Sequence, residues 1–174
     1  MPIHNKQEII SALDEKITAF NDFIMRLDKP SFEATPNDKW SAGQNLDHLI
    51  KAIQPLQPAY SLPKFLLRLL FGKANRPSRI YEEVVAKYKA KLAAGGRASG
   101  RFIPPVILFE QKETLISKYT RQKEKLFRKI ERQSEDALDQ YILPHPLLGK
   151  LTLREMLFFT VYHNEHHLEL LKQR

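Results

Sequence analysis

Two histidines near the C-terminus, His163 and His167, are spaced i, i+4. On an α-helix that spacing puts both imidazoles on one face, about 6 Å apart along the axis. Two imidazoles so placed can grip one metal ion. A third from another helix, for which His48 is the candidate, would complete a three-histidine site with an open position. The chain has no cysteine, so any metal must rest on histidine or carboxylate, and a thiol nucleophile is excluded. Each histidine also has a plainer reading: a hydrogen-bonded core residue for the pair, a half-buried surface residue for His48. Spacing alone leaves both readings open and gives no distance between His48 and the pair.

The remaining candidates are weaker. His166 falls between the pair and is expected at the surface. His145 sits in a Pro-flanked loop ahead of the last helix, where it would line a bundle end, and His4 is expected to be disordered. Asp47, Glu165 and Glu169 lie near the histidines and would serve either as their hydrogen-bond partners or as solvated helix-face charges. In His163-Asn164-Glu165-His166-His167 the acid is two residues after the first histidine, on the helix side opposite the pair. A general base of the zinc-protease kind, which needs His-Glu-x-x-His, is therefore not expected. There is no Gly-rich phosphate loop and no nucleophile elbow, so no catalytic residue and no organic cofactor is assigned.

Almost every segment that must position these residues reads as helix. From Lys6 to Leu27, apolar residues at Ile9, Ile10, Leu13, Ile17, Phe20, Phe23, Ile24 and Leu27 follow the 3.6-residue period. Lys29-Pro30 should end that helix, with a loop through Pro36. Ser41-x-x-Gln44 fits a capping box that opens a helix to about Gln54, carrying His48 beside the apolar Leu46, Leu49, Ile50 and Ile53. Pro63–Phe71 reads as a short apolar helix, and Ser78 as the cap of a helix to about Ala94. The Gly- and Pro-rich stretch 95–105 reads as a flexible connection between helices. Glu110 to about Gln133 is a long charged helix with Leu115, Ile116, Tyr119, Leu126 and Ile130 inward. Residues 135–141 add a short turn, 143–149 a structured loop, and Thr152-x-x-Glu155 a second capping box that opens the last helix. On that helix Leu153, Met156, Thr160, His163 and His167 share one stripe, with Leu157, Val161, Leu168 and Leu171 beside it. No alternating apolar run is long enough for a convincing strand. The expectation is an all-α four-helix bundle with additional short helices in the connections, residues 1–174 forming one domain.

Composition is that of a soluble globular chain, 43% hydrophobic and 28% charged. The N-terminus lacks the apolar run and cleavage site of a signal peptide. The most apolar stretch, residues 62–71, is too short to span a bilayer, so the cytoplasm is expected and no membrane partner. The +8 formal charge is uneven. Residues 64–129 hold 17 Lys/Arg against 5 Asp/Glu, a net of +12 that could steer an anionic small substrate, an acidic protein or nucleic acid. Nucleic acid is disfavoured, because no DNA-binding motif is present and aromatics are not interleaved as base-stacking platforms.

Two motifs carry a family resemblance. Trp40-Ser41-x-x-Gln44-x-x-x-His48-Leu49 is similar to the start of the second helix in the DinB/YfiT-like superfamily. His145-Pro146-x-x-Gly149-x-Leu151-Thr152-x-x-Glu155-Met156, followed by His163-x-x-x-His167, is similar to that family's last helix and its entry loop. The resemblance covers nearly the whole chain and implies a DinB-like four-helix bundle. It implies a three-histidine site at His48, His163 and His167 for a divalent ion, zinc or nickel, with water at the open position. It implies a metal-dependent hydrolase, or a transferase using a low-molecular-weight thiol, acting as a homodimer on a small molecule, with an anionic thiol one candidate. The chain departs from the pattern at Gln44, where the family usually has an acid, and in a longer insertion around 55–77. A metal-free binding or stress-related module on the same fold is the alternative.

Overall fold

The computed structural model describes residues 3–173. The first helix, α1 (Lys6–Met25), begins in a capping box: Asn5 Oδ1 accepts the Glu8 amide at 2.9 Å and Glu8 Oε2 accepts the Asn5 amide at 3.1 Å. Its apolar stripe, Ile9, Ile10, Leu13, Ile17, Phe20 and Ile24, is buried. Pro30 does not open a loop. Asp28 caps a short second helix, α2 (Lys29–Glu33), in whose first turn a proline costs no hydrogen bond.

The Ser41–Gln44 capping box forms as expected and opens α3 (Ala42–Ile53). The Ser41 hydroxyl accepts the Gln44 amide at 3.2 Å, and Gln44 Oε1 accepts the Ser41 amide at 2.9 Å. Gly43 is where α3 meets α2: a Cβ there would lie 2.7 Å from the Phe32 ring. Next come α4 (Leu56–Ala59), α5 (Lys64–Phe71) and α6 (Tyr81–Ala93). Ser78 does not cap α6, which starts three residues later. Its hydroxyl instead donates to Asp139 Oδ1 at 2.5 Å and lies 2.8 Å from Thr152 Oγ1, tying this connection to the start of the last helix.

Then follow α7 (Lys112–Glu131), α8 (Glu135–Gln140) and the last helix, α9 (Leu153–Lys172). The expected inward residues of α7, Leu115 through Ile130, are buried. Between α8 and α9 the chain forms a two-stranded antiparallel hairpin, β1 (Ile142–His145) with β2 (Gly149–Thr152), where the sequence suggests only a structured loop. Each strand has four residues, and both are edges, so Pro144 is tolerated and no long alternation marks them. Gly149 takes φ 74° to close the turn.

The protein is all-α apart from that hairpin. Helix α1 packs on both α7 and α9, and α3 packs on the same two, so the bundle order α1–α7–α3–α9 is non-sequential. Helix α6 lies against α9. The core runs through all of these, and α9 is its centre: Leu153, Leu157, Phe158, Val161 and Leu168 are buried. His4, expected to be disordered, is held: its carbonyl accepts Arg154 Nη1 at 2.8 Å. Among the described residues, no helix is long and apolar enough to cross a membrane.

Candidate metal centre

Helices α3 and α9 bring His48, His163 and His167 together, and all three are buried. Their Nε2 atoms converge. His163 Nε2 lies 3.0 Å from His167 Nε2 and 3.1 Å from His48 Nε2. The plainer reading of His48 as a half-buried surface residue is thereby excluded. It faced the core because α3 packs on α9 at the capped end, a tertiary fact that spacing along α3 could not supply.

The outer ring nitrogens fix the tautomers. His48 Nδ1 is 2.8 Å from the Phe102 carbonyl, an acceptor only, so Nδ1 donates and Nε2 keeps its lone pair. His167 Nδ1 is 2.6 Å from Asn45 Oδ1. The Asn45 amide group donates to the carbonyls of Trp40 at 3.0 Å and Ser41 at 2.8 Å, which forces its oxygen toward His167. His167 therefore also donates from Nδ1 and presents a lone pair at Nε2. This is how metal-ligating histidines are usually held.

The residues fit an ion. A tetrahedral centre with metal–nitrogen bonds of about 2.0–2.1 Å sets its nitrogens about 3.3–3.4 Å apart, and the observed separations fall a few tenths of an ångström short. Burial holds the His48 imidazole below its usual value, although the Phe102 carbonyl pulls the other way. Burial, and then the neighbouring imidazoles of His167 and His48, hold His163 well below the usual range. Both are neutral at pH 7, the form that binds a cation.

The acids near the triad do not touch it. Asp47 pairs with Lys51 at 2.8 Å, and Lys51 Nζ donates to the Ile103 carbonyl at 3.0 Å. That pair pins the segment whose Phe102 carbonyl orients His48. The stretch expected to be a flexible connection is thus part of the site. Glu165 and Glu169 pair with Lys16 and Lys172 on the outer face of α9. His166, expected at the surface, is half-buried with its ring 5.8 Å from Tyr88. His145 lies against Phe159, ring centres 4.2 Å apart, and its Nδ1 accepts the amides of Leu147 and Leu148, each at 3.1 Å. Burial, with the Lys87 charge, pushes its value down to about 4.

Asn45 and the Phe102 carbonyl are the functional groups that spacing did not single out. A backbone carbonyl leaves no mark in a sequence. Asn45 leaves a faint one: an amide three residues before a candidate ligand, in a helix interior that asparagine does not favour. Replacing Asn45 with alanine is expected to weaken zinc binding about 10–100-fold, read by competition with a chromophoric chelator, because the His167 ring loses its anchor.

A cleft of about 1230 Å³ opens over the triad, between α3, α6, α9, the hairpin and the 97–103 segment. Trp40 covers His48, ring centres 5.0 Å apart, and Phe159 stacks on His163 at 4.8 Å. An all-helical bundle with three inward histidines from two helices, under an aromatic-walled cleft, defines a bundle with a candidate metal centre. The family model of the DinB superfamily matches residues 12–171, and the chain belongs to that superfamily. No functionally curated protein matches it.

Proposed function

We propose that this chain is a metal-dependent enzyme, a hydrolase or a low-molecular-weight-thiol transferase, acting on a small molecule in the cytoplasm as a homodimer. The observation that carries the reading is the convergence of three buried Nε2 atoms, two of them with tautomers fixed by Phe102 and Asn45, at the floor of a cleft. His48, His163 and His167 would hold a divalent ion, zinc or nickel. Bound there, such an ion lowers the pKa of water or a thiol at its open position and so supplies a nucleophile at neutral pH. The chain's own residues prepare the place. Asn45 and the Phe102 carbonyl orient the rings, and Trp40 and Phe159 pack against those of His48 and His163.

One observation favours a second reading, a metal-free binding module. A proton on His163 Nε2 can be shared between the His48 and His167 lone pairs, so the three rings satisfy one another without an ion. Elemental analysis of the purified protein, before and after supplying zinc or nickel, separates the two. One equivalent per chain is expected, together with ester hydrolysis or thiol conjugation that vanishes on chelation and returns with metal. No bound metal after supplementation sinks the enzyme reading and leaves the second.

A further inference from the structure

The walls of the cleft carry a charge pattern that the triad does not explain. Three cations line it, Lys39, Arg97 and Arg101, and among the described residues no Asp or Glu does. None of the three makes an ion pair with a described carboxylate. Lys39 and Arg101 adjoin in sequence two of the residues that touch His48: Trp40 by its ring and Phe102 by its carbonyl. Arg101 lies over the Phe102 ring, 5.1 Å from its centre. Lys39 and Arg101 therefore stand at the triad end of the cleft, whereas Arg97 follows Gly96, where a Cβ would lie 3.4 Å from Leu147 of the hairpin.

Most of the rest of the lining is apolar. From His163 the floor runs back along α9 through Phe159 to Met156, and the hairpin adds Leu143 and Leu147. Seven residues of helix give this floor a length of about 10 Å, the reach of a medium-chain alkyl group. Uncompensated cations beside an apolar wall attract an anion more strongly than the same cations in water, because the wall lowers the local dielectric. The cleft, about 1230 Å³, has room for an apolar body of that length.

We propose that the cleft binds an amphipathic organic anion, with its charged head at Lys39 and Arg101 and an apolar body of about 10 Å along α9 toward the hairpin. The inference names the substrate class of the proposed enzyme, and it rests on the metal reading only for what happens at the reacting end. The head sits beside the histidine triad, so the bond to be attacked lies next to the anionic group, not at the far end of the chain.

Calorimetric titration of the metal-free protein with decanoate, 1-decanol, decyltrimethylammonium and butyrate tests it. Decanoate is expected to bind once per chain, at least about tenfold more tightly than the others, since one lost charge contact or a lost apolar body each removes about 1.4 kcal/mol or more. The Lys39→Gln/Arg101→Gln double variant should bring decanoate to the level of decanol. Both residues are exposed in connections, so circular dichroism should be unchanged. Decanoate binding no tighter than decanol, or undiminished in the double variant, overturns the proposal. Zinc titration of the same samples keeps the two ideas apart. Zinc bound without anion selectivity sinks the substrate class alone, and anion selectivity without zinc sinks the metal reading alone while the substrate class stands.

Discussion

Replacing His163 with alanine is expected to abolish the thermal stabilisation that zinc or nickel confers on the native protein. His163 Nε2 is the atom common to both short contacts, 3.0 Å from His167 and 3.1 Å from His48. Without it, one ligand remains on α3 and one on α9, and no i, i+4 chelate survives. A ligand that binds only the native state stabilises by about 2.7 kcal/mol at a hundredfold excess over its dissociation constant and by about 4.1 at a thousandfold excess. For a chain of this size, each kcal/mol moves Tm by about 2–4 °C, so the wild type should gain roughly 5–15 °C with saturating metal. The variant should gain almost nothing. The comparison is of Tm with and without metal for each protein, so a change in the apo stability of the variant does not confuse it. A full metal shift in His163→Ala would remove the triad as the site.

The pH dependence of the apoprotein has a definite sign. Burial depresses the values of His48, His163 and His145 below the usual 6.5, with His145 near 4. Between those native values and 6.5 the unfolded chain binds more protons than the native one, so stability rises with pH across that window. It is lost as pH falls from about 6.5 toward 4. Metal binding to neutral imidazoles weakens over the same acid range, because protons compete for the lone pairs.

Much of this arrangement was legible in the sequence, and the limits have physical causes. The capping boxes at Ser41 and Thr152 form because each depends on residues only three positions apart. The inward stripe of α9 follows from helical period alone, and it carries His163 and His167 to the core. Gln44 keeps the capping function where the family usually has an acid; its side chain accepts the Ser41 amide. What spacing could not give is anything that depends on approach between distant segments. The meeting of His48 with the α9 pair needs α3 to pack on α9. The ordering of residues 100–103 needs the Phe102 and Ile103 carbonyls to find His48 and Lys51. Ser78 looked like a cap because serine before a helix often is one, but Asp139 and Thr152 offered its hydroxyl better partners.

Glu155→Gln should be the most destabilising single isosteric change outside the core, at about 3 kcal/mol or more, a drop of roughly 6–12 °C in Tm. Glu155 is fully buried at the start of α9. Its carboxylate takes Arg76 in a two-pronged pair at 2.6 and 2.9 Å, the Arg79 amide at 2.7 Å and the Thr152 amide at 3.0 Å. Arg79 Nη1 adds a longer contact at 3.3 Å. One acid thus caps α9 and ties to it the connection between α5 and α6. Glutamine keeps the shape but turns an NH₂ group toward donors and leaves two guanidinium groups uncompensated. Burial raises the Glu155 carboxyl, yet Arg76 and the Arg79 and Thr152 amides outweigh it and hold the group below its usual value. Its contribution is therefore present above the unfolded-state value of about 4.3 and is lost as pH falls through the lower native value. The difference between wild type and Glu155→Gln, measured by denaturant unfolding, should be large at pH 7 and should shrink on acidification below that point. A penalty that stays constant with pH would mean that packing, not the charge, holds this junction. Glu155 lies eight residues before His163, about 12 Å along the helix, so metal stoichiometry should be unchanged in the variant even as its Tm falls.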